Sequence, residues 1–176
     1  FGSNWDDELP VNPTFNPEPP KVQIWSIPFS GGDPIMIDEG INPVISPKSN
    51  EIAYVKDGQI WVSSIDGEGD PKKIFHSRGR NGSHSWSPDG SKIVFVSYRS
   101  DRSFIGIYQN ESTNIKWINP SFDRDSSPRW SPDGNQIVYI RQPGAAGKPT
   151  SILGAKHVPW KLIKSDINSM ESNRSE

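Results

Sequence analysis

The chain has no cysteine. That excludes disulfides, thiolate nucleophiles and zinc–thiolate sites, and it leaves the compartment open, since cytosolic and periplasmic proteins alike can lack cysteine. Helix-favouring aliphatics are scarce: 3 Leu and 4 Ala stand against 20 Ile and 9 Val in 176 residues. β-Branched side chains are stiff in helices and pack well on a pleated surface, so this imbalance points to sheets. No segment sustains a 3.6-residue apolar period, and no apolar run approaches the roughly 18 residues of a membrane span. Charge of one sign is also lacking. The 19 basic and 21 acidic residues are interspersed and leave a net charge of −2, which excludes the basic stripe of a nucleic-acid surface. The first residue is Phe1 rather than Met, so a processed or excised piece is expected.

What is present is a repeat. SHSWSPDGSKIVFV (residues 83–96) and SPRWSPDGNQIVYI (127–140) place Trp86 and Trp130 44 residues apart. A weaker copy, NPVISPKSNEIAYV (42–55), sets Pro47 41 residues before Pro88. Ser-Pro-Asp-Gly makes a tight turn: Pro88 or Pro132 presets the first corner, Asp89 or Asp133 bonds back to the backbone, and Gly90 or Gly134 takes the left-handed position. A β-branched and aromatic strand follows each turn. In the upstream copy Lys48 and Ser49 replace Asp and Gly, so a looser or longer turn is expected there, with Asn50 in the left-handed position.

The repeat parses into four strands, A to D. The second unit places them at 42–46, 51–56, 59–65 and 71–76, and the third at 83–87, 92–97, 104–109 and 114–118. An opening pair covers 22–29 and 34–38, because Ile24-Trp25 matches Ile60-Trp61. The last unit gives A at 127–131, B at 136–141, a Gly/Pro/Ala loop, and C within 160–167. The period suits propeller blades. The fold class is therefore all-β: a partial β-propeller of about three to three and a half four-stranded antiparallel blades. Its parts are a half blade (22–39), two blades (41–76 and 83–118) and a partial blade (127–167), within a propeller region of 21–167. A Pro-rich arm (1–20) precedes it and a disordered tail (168–176) follows. Closed rings need at least four blades, so self-association to complete the ring, or continuation into further chain, is expected. Trp25, Trp61, Trp86 and Trp130 are read as equivalent residues packing between blades.

Residues 20–167 resemble the repeat shared by TolB-type propellers and the N-terminal propellers of prolyl oligopeptidase-family serine peptidases. The segments GQIWVSSIDGEGDPKKIFHSRGRNGSHSWSPDG, SDRSFIGIY, DRDSSPRWSPDG and RQPGAAGKP…PWKLI resemble the dipeptidyl-peptidase IV-like and acylaminoacyl-peptidase-like members. The resemblance implies a non-catalytic module that docks an α/β-hydrolase domain in cis and gates peptide substrates; a TolB-like protein-binding scaffold is the alternative. It implies no cofactor. The nucleophile elbow of the hydrolase domain, G-x-S-x-G, is absent here, since 82–86 reads Gly-Ser-His-Ser-Trp. The glutamate pair that holds the substrate amine in the dipeptidyl peptidases has no counterpart: Asp7-Glu8 and Asp38-Glu39 do not match it. His76, His84 and His157 lack the spacing of a metal site and are read as loop or strand-edge residues.

In four-stranded blades the D–A and B–C connections share one face. The expectation is that this face collects Arg78, Arg80, Asn81, Asp123, Arg124 and Asp125 from D–A loops and Tyr98, Arg99, Asp101, Arg102 and Arg141 from B–C loops. The Ser-Pro-Asp-Gly turns then line the opposite face. The charged set is the candidate docking or entrance surface, weighed against solvated salt bridges of little energetic weight.

Overall fold

In the computed structural model, residues 21–144 and 159–168 are described. The expected arm at 1–20, most of the last loop and the tail beyond Asn168 fall outside them. The described residues form strands and turns with no helix. β1 (Gln23–Ser26) pairs antiparallel with β2 (Ile35–Glu39) as a half blade. β3 (Ile41–Ile45), β4 (Glu51–Lys56), β5 (Gln59–Ser64) and β6 (Lys72–Lys73) form the first whole blade in chain order. β7 (Arg80–Trp86), β8 (Ile93–Tyr98), β9 (Ser103–Tyr108) and β10 (Lys116–Ile118) form the second. β11 (Arg124–Trp130), β12 (Gln136–Gln142) and β13 (Lys161–Asp166) follow as an antiparallel three-stranded unit. A single parallel pairing, Arg124 with Ser103, joins it to β9. The arc is an open, partial propeller.

The central strands show why the blades stack. Along β4, Ile52 and Tyr54 pack on Ile24 and Ile37 of the half blade, while Ala53 joins Ile60, Ile93 and Phe95. Along β8, Ile93 and Phe95 face back to that cluster, and Val94 and Val96 face forward to Ile137 and Tyr139. A strand covered on both sides reads as a continuous apolar run, because each alternate side chain has its own neighbouring blade to pack against. Sequence reading supplies such runs as IAYV and IVFV.

The turns behave as their chemistry requires. Gly90 and Gly134 both sit at φ 71. Asp89 accepts from Ser87 Oγ (2.5 Å), Ser91 N (3.1 Å) and Ser91 Oγ (2.7 Å); Asp133 repeats the pattern with Ser131 and Asn135. These donors, led by the Ser87 hydroxyl, hold the Asp89 carboxyl well below the usual carboxylate range. The upstream turn corrects the expectation. It is no longer than the others, closing with Ser46 N to Glu51 O at 2.9 Å just as Ser87 N closes on Lys92 O. Asn50 is not left-handed; Ser49 N donates to Ser46 Oγ at 3.3 Å, where Gly90 N of the next blade donates to the Ser87 carbonyl.

A further device has no turn-residue signature. Asn42 (φ 54), Ser83 (φ 48) and Ser127 (φ 53) are left-handed non-glycine residues, spaced 41 and 44 apart. Each lies in a register shift of its A strand: Ile41/Val44, Gly82/Ser85 and Ser126/Arg129. Every whole A strand thus carries the same β-bulge, which bends the strand at one height of the arc. The tryptophans also need correction. Trp86 and Trp130 end A strands, whereas Trp25 and Trp61 lie on β1 and β5, so they are two pairs rather than one equivalent set.

Candidate functional site

The D–A and B–C connections do meet at one end of the blades. Arg124 Nε donates to the Asp101 carbonyl at 3.3 Å, the Arg102 guanidinium lies 4.9 Å from the Phe122 ring centre, and Arg99 rests against Gly79. Four residues expected in loops instead open the A strands: Arg80 and Asn81 in β7, Arg124 and Asp125 in β11. Arg141 is within β12. Asn81 and Asp125 are 2% and 0% exposed, because the inner end of each A strand is covered by its neighbours. They are therefore structural residues beneath the face rather than parts of its surface.

Their partners follow the repeat. Position 56 in the first whole blade corresponds to 97 and 141 in the next two. Arg141 grips Asp125 through both oxygens, at 2.7 and 2.9 Å, and also donates to the Asn119 carbonyl at 2.6 Å. Hydrogen bonding to Asp125 raises the Arg141 pKa. Lys56 holds Asp38 at 2.7 and 2.9 Å, and Tyr54 Oη donates to the same carboxylate at 2.5 Å. Burial alone would raise the Asp38 pKa, but these donors outweigh it and leave the carboxyl below its ordinary value. The middle blade has Ser97 and a neutral network instead. Ser77 Oγ donates to Asn81 Oδ1 (2.9 Å), Asn81 Nδ2 to Gln59 Oε1 (2.8 Å), Gln59 Nε2 to the Gly79 carbonyl (3.0 Å) and Ser97 Oγ to the Arg78 carbonyl (3.1 Å).

The remaining charges divide in two. Arg102 forks onto its neighbour Asp101, at 3.0 and 2.9 Å, and those bonds hold the Asp101 carboxyl below its ordinary value. Asp123 accepts from the Gly144 amide at 3.4 Å. Arg78, Arg80 and Arg99 have no carboxylate partner among the described residues. A cleft of about 280 Å³ opens beside Arg80 between two A strands, lined by Ile41, Asn42, Ser83 and Tyr98; there the Ser83 and Tyr98 hydroxyls are 2.7 Å apart. A larger cleft of about 550 Å³ lies at the opposite end, between Trp86, Tyr108, Glu51, Glu68 and Lys72.

Sequence reading missed Ser77, Gln59, Gly79 and Phe122. The Arg-Gly-Arg string at 78–80 was the signal available for Gly79; the others are polar or apolar residues whose partners come from distant turns. His84 also departs from expectation. It is 6% exposed and lies inside β7, with Nε2 3.1 Å from the Ala53 carbonyl of the preceding blade. Its Nδ1 has no partner among the described residues. Among the described residues no hydroxyl or carboxylate reaches it in the manner of a triad. Trp86, Pro88, Asp89, Gly90, Trp130, Pro132, Asp133 and Gly134 sit at the far face as turn and packing residues.

Comparison with known proteins agrees with this geometry. The family model described as PD40, TolB beta propeller domain, matches residues 29–149. The Tol-Pal system protein TolB of Bordetella avium (strain 197N) is 33% identical over 99 residues, covering 48% of this chain and 22% of that protein. Among solved structures, a TolB-type protein of Agrobacterium tumefaciens superposes with a TM-score of 0.60 at 22% identity, over 82% of this chain and 53% of that one. TolB of Acinetobacter baumannii gives 0.59 at 21% identity, over 84% and 36%. The chain therefore spans about half the length of these proteins or less.

Proposed function

Because the chain belongs to the TolB β-propeller family, we propose that it is a non-catalytic scaffold whose D–A/B–C face docks a second folded domain. One observation carries the reading. Arg78 and Arg99 on loops and Arg80 at the start of β7 stand without a carboxylate among the described residues, and side chains hold the Arg78 and Gly79 carbonyls in place. Charges on a rigid bed give a docking surface orientation and specificity at small entropic cost. The buried apolar side chains are meanwhile used in packing one blade on the next.

Two forms of the scaffold are supported by different observations. The family match and the TolB relative favour a protein-binding propeller acting on a separate partner. The segments between repeats, from GQIWVSSIDGEG to PWKLI, favour a propeller that docks an α/β-hydrolase domain of its own polypeptide and borders the entrance for peptides. Reading the gene beyond codon 176 separates them. An in-frame G-x-S-x-G domain supports the second form, and a stop codon supports the first. In either form the purified chain should leave chromogenic dipeptide substrates intact. Turnover that disappears on mutating one of its own serines overturns the non-catalytic assignment.

A further inference from the structure

The three arginines without a carboxylate are not alike. Arg99 Nη1 is buried and has no hydrogen-bond partner among the described residues. A buried donor left unmade costs about 1–3 kcal/mol, more when charged, so such an atom calls for a ligand or an acceptor. The guanidinium lies against Gly79, with Nη1 3.1 Å from where a Cβ would stand. Gly79 is left-handed at φ 85, and a side chain there would collide with the Tyr98 carbonyl. The next residue back is Arg78. Burial, and to a lesser degree the Arg78 charge, lower the Arg99 pKa.

The loop holding the pair is built, not adventitious. The Arg78 carbonyl accepts from Ser97 Oγ at 3.1 Å and the Gly79 carbonyl from Gln59 Nε2 at 3.0 Å. The rest of the face shows what satisfies an arginine here. Arg141 forks onto Asp125 and Arg102 onto Asp101, each through two carboxylate oxygens. The corresponding loop of the next blade has Phe122 in place of Arg78 and Asp123 in place of Gly79, so the second cation is particular to this loop.

We propose that Arg78 and Arg99, flanking Gly79, form a carboxylate-binding site that receives an acidic side chain or C-terminus of the docked protein. A carboxylate docked over Gly79 would accept from the guanidinium groups of Arg99 and Arg78 together, matching the planar fork of a guanidinium better than a tetrahedral oxyanion does. This rests on the docking reading for its biological source, but the chemistry of the pair is testable without any partner domain.

The test uses the full chain and small probes at fixed ionic strength: N-acetyl-tetraalanine as the free acid and as the amide, sodium acetate, and inorganic phosphate. The readout is the Arg side-chain Nε–Hε signals in NMR. The free-acid peptide and acetate should shift the Arg99 signal saturably, and the amide should not. Arg99→Gln and Arg78→Gln should each weaken binding at least about tenfold, whereas Arg102→Gln, already paired, should leave it within about twofold. Arg99→Lys, which keeps the charge and loses the fork, guards against loss of folding and should also weaken binding. A response as large with the amide, saturation by phosphate alone, or no saturable response overturns the site. Any of these leaves the docking reading standing, since that is decided by the gene and by the partner domain.

Discussion

The indole Nε1 of Trp130 donates to the Ser85 carbonyl at 3.2 Å, across the boundary between two blades. One repeat earlier Trp86 donates to the Val44 carbonyl at 3.0 Å. Ser85 and Val44 are the residues just past the left-handed bulge of their A strands. In each case the tryptophan of the next blade takes the carbonyl that follows the bulge. This latch explains why Trp and the bulge recur at one spacing. Trp86→Phe or Trp130→Phe should therefore cost about 1–2 kcal/mol in urea denaturation, the loss of a bond plus a stranded acceptor. Trp61 is the control. Its Nε1 is buried with no partner among the described residues, so Trp61→Phe should cost clearly less. Equal losses at Trp61 and Trp86 would refute the latch.

Much of the strand pattern was legible, because each period-2 run and each Ser-Pro-Asp-Gly turn is dictated by residues close in sequence. The bulge was not, since Asn42, Ser83 and Ser127 share no left-handed preference strong enough to mark the site. Their conformation comes from the neighbouring blade. Αn αL position costs a non-glycine residue about 1–2 kcal/mol, so Ser127→Gly should stabilise by up to about 1 kcal/mol and Ser127→Val should destabilise. A urea melt in which valine is tolerated as well as glycine would show that the bulge carries no strain.

The charged face was legible as a face but not as two populations. Asp125 and Asp101 read alike in sequence; only the packing of β11 against its neighbours makes Asp125 fully buried. Removing one member of a buried ion pair strands the other, at about 3–5 kcal/mol. Asp125→Ala should show that loss. The blade before it manages the same junction with Asn81 and Ser97, so Asp125→Asn with Arg141→Ser should recover part of it. A double variant no more stable than Asp125→Ala argues against interchangeable junctions.

His84 should contribute to acid sensitivity. Burial lowers its pKa, and the Ala53 carbonyl bond only partly opposes this. The folded chain therefore binds a proton more weakly than the unfolded chain does. Stability contributed by neutral His84 is complete above an unfolded pKa of about 6.5 and is lost as pH falls below it. His84→Gln, which keeps a donor for the Ala53 carbonyl, should flatten the stability profile below about pH 6.5. An unchanged slope would assign the acid sensitivity to other groups.

The two flanks of the arc differ from its interior in one respect: among the described residues their apolar side chains have no blade to meet. Trp86 occupies the place that Ile45 holds 41 residues earlier, and Ile45 is 59% exposed, since the half blade before it has no A strand among the described residues. Trp25 and Ile41 are exposed on the same side, and Trp160 and Leu162 on the other. β1 also presents a free backbone edge, since β2 is its single strand partner among the described residues. Apolar area and an open edge together favour association. The 176-residue chain alone should scatter light as a dimer or larger at micromolar concentration, and Ile45→Lys with Trp25→Lys should shift it toward monomer. The double change removes apolar surface without touching the latch or the arginine pair, so folding can be checked by an unchanged circular dichroism spectrum. A wild-type chain that stays monomeric and melts cooperatively would mean that these flanks need no cover.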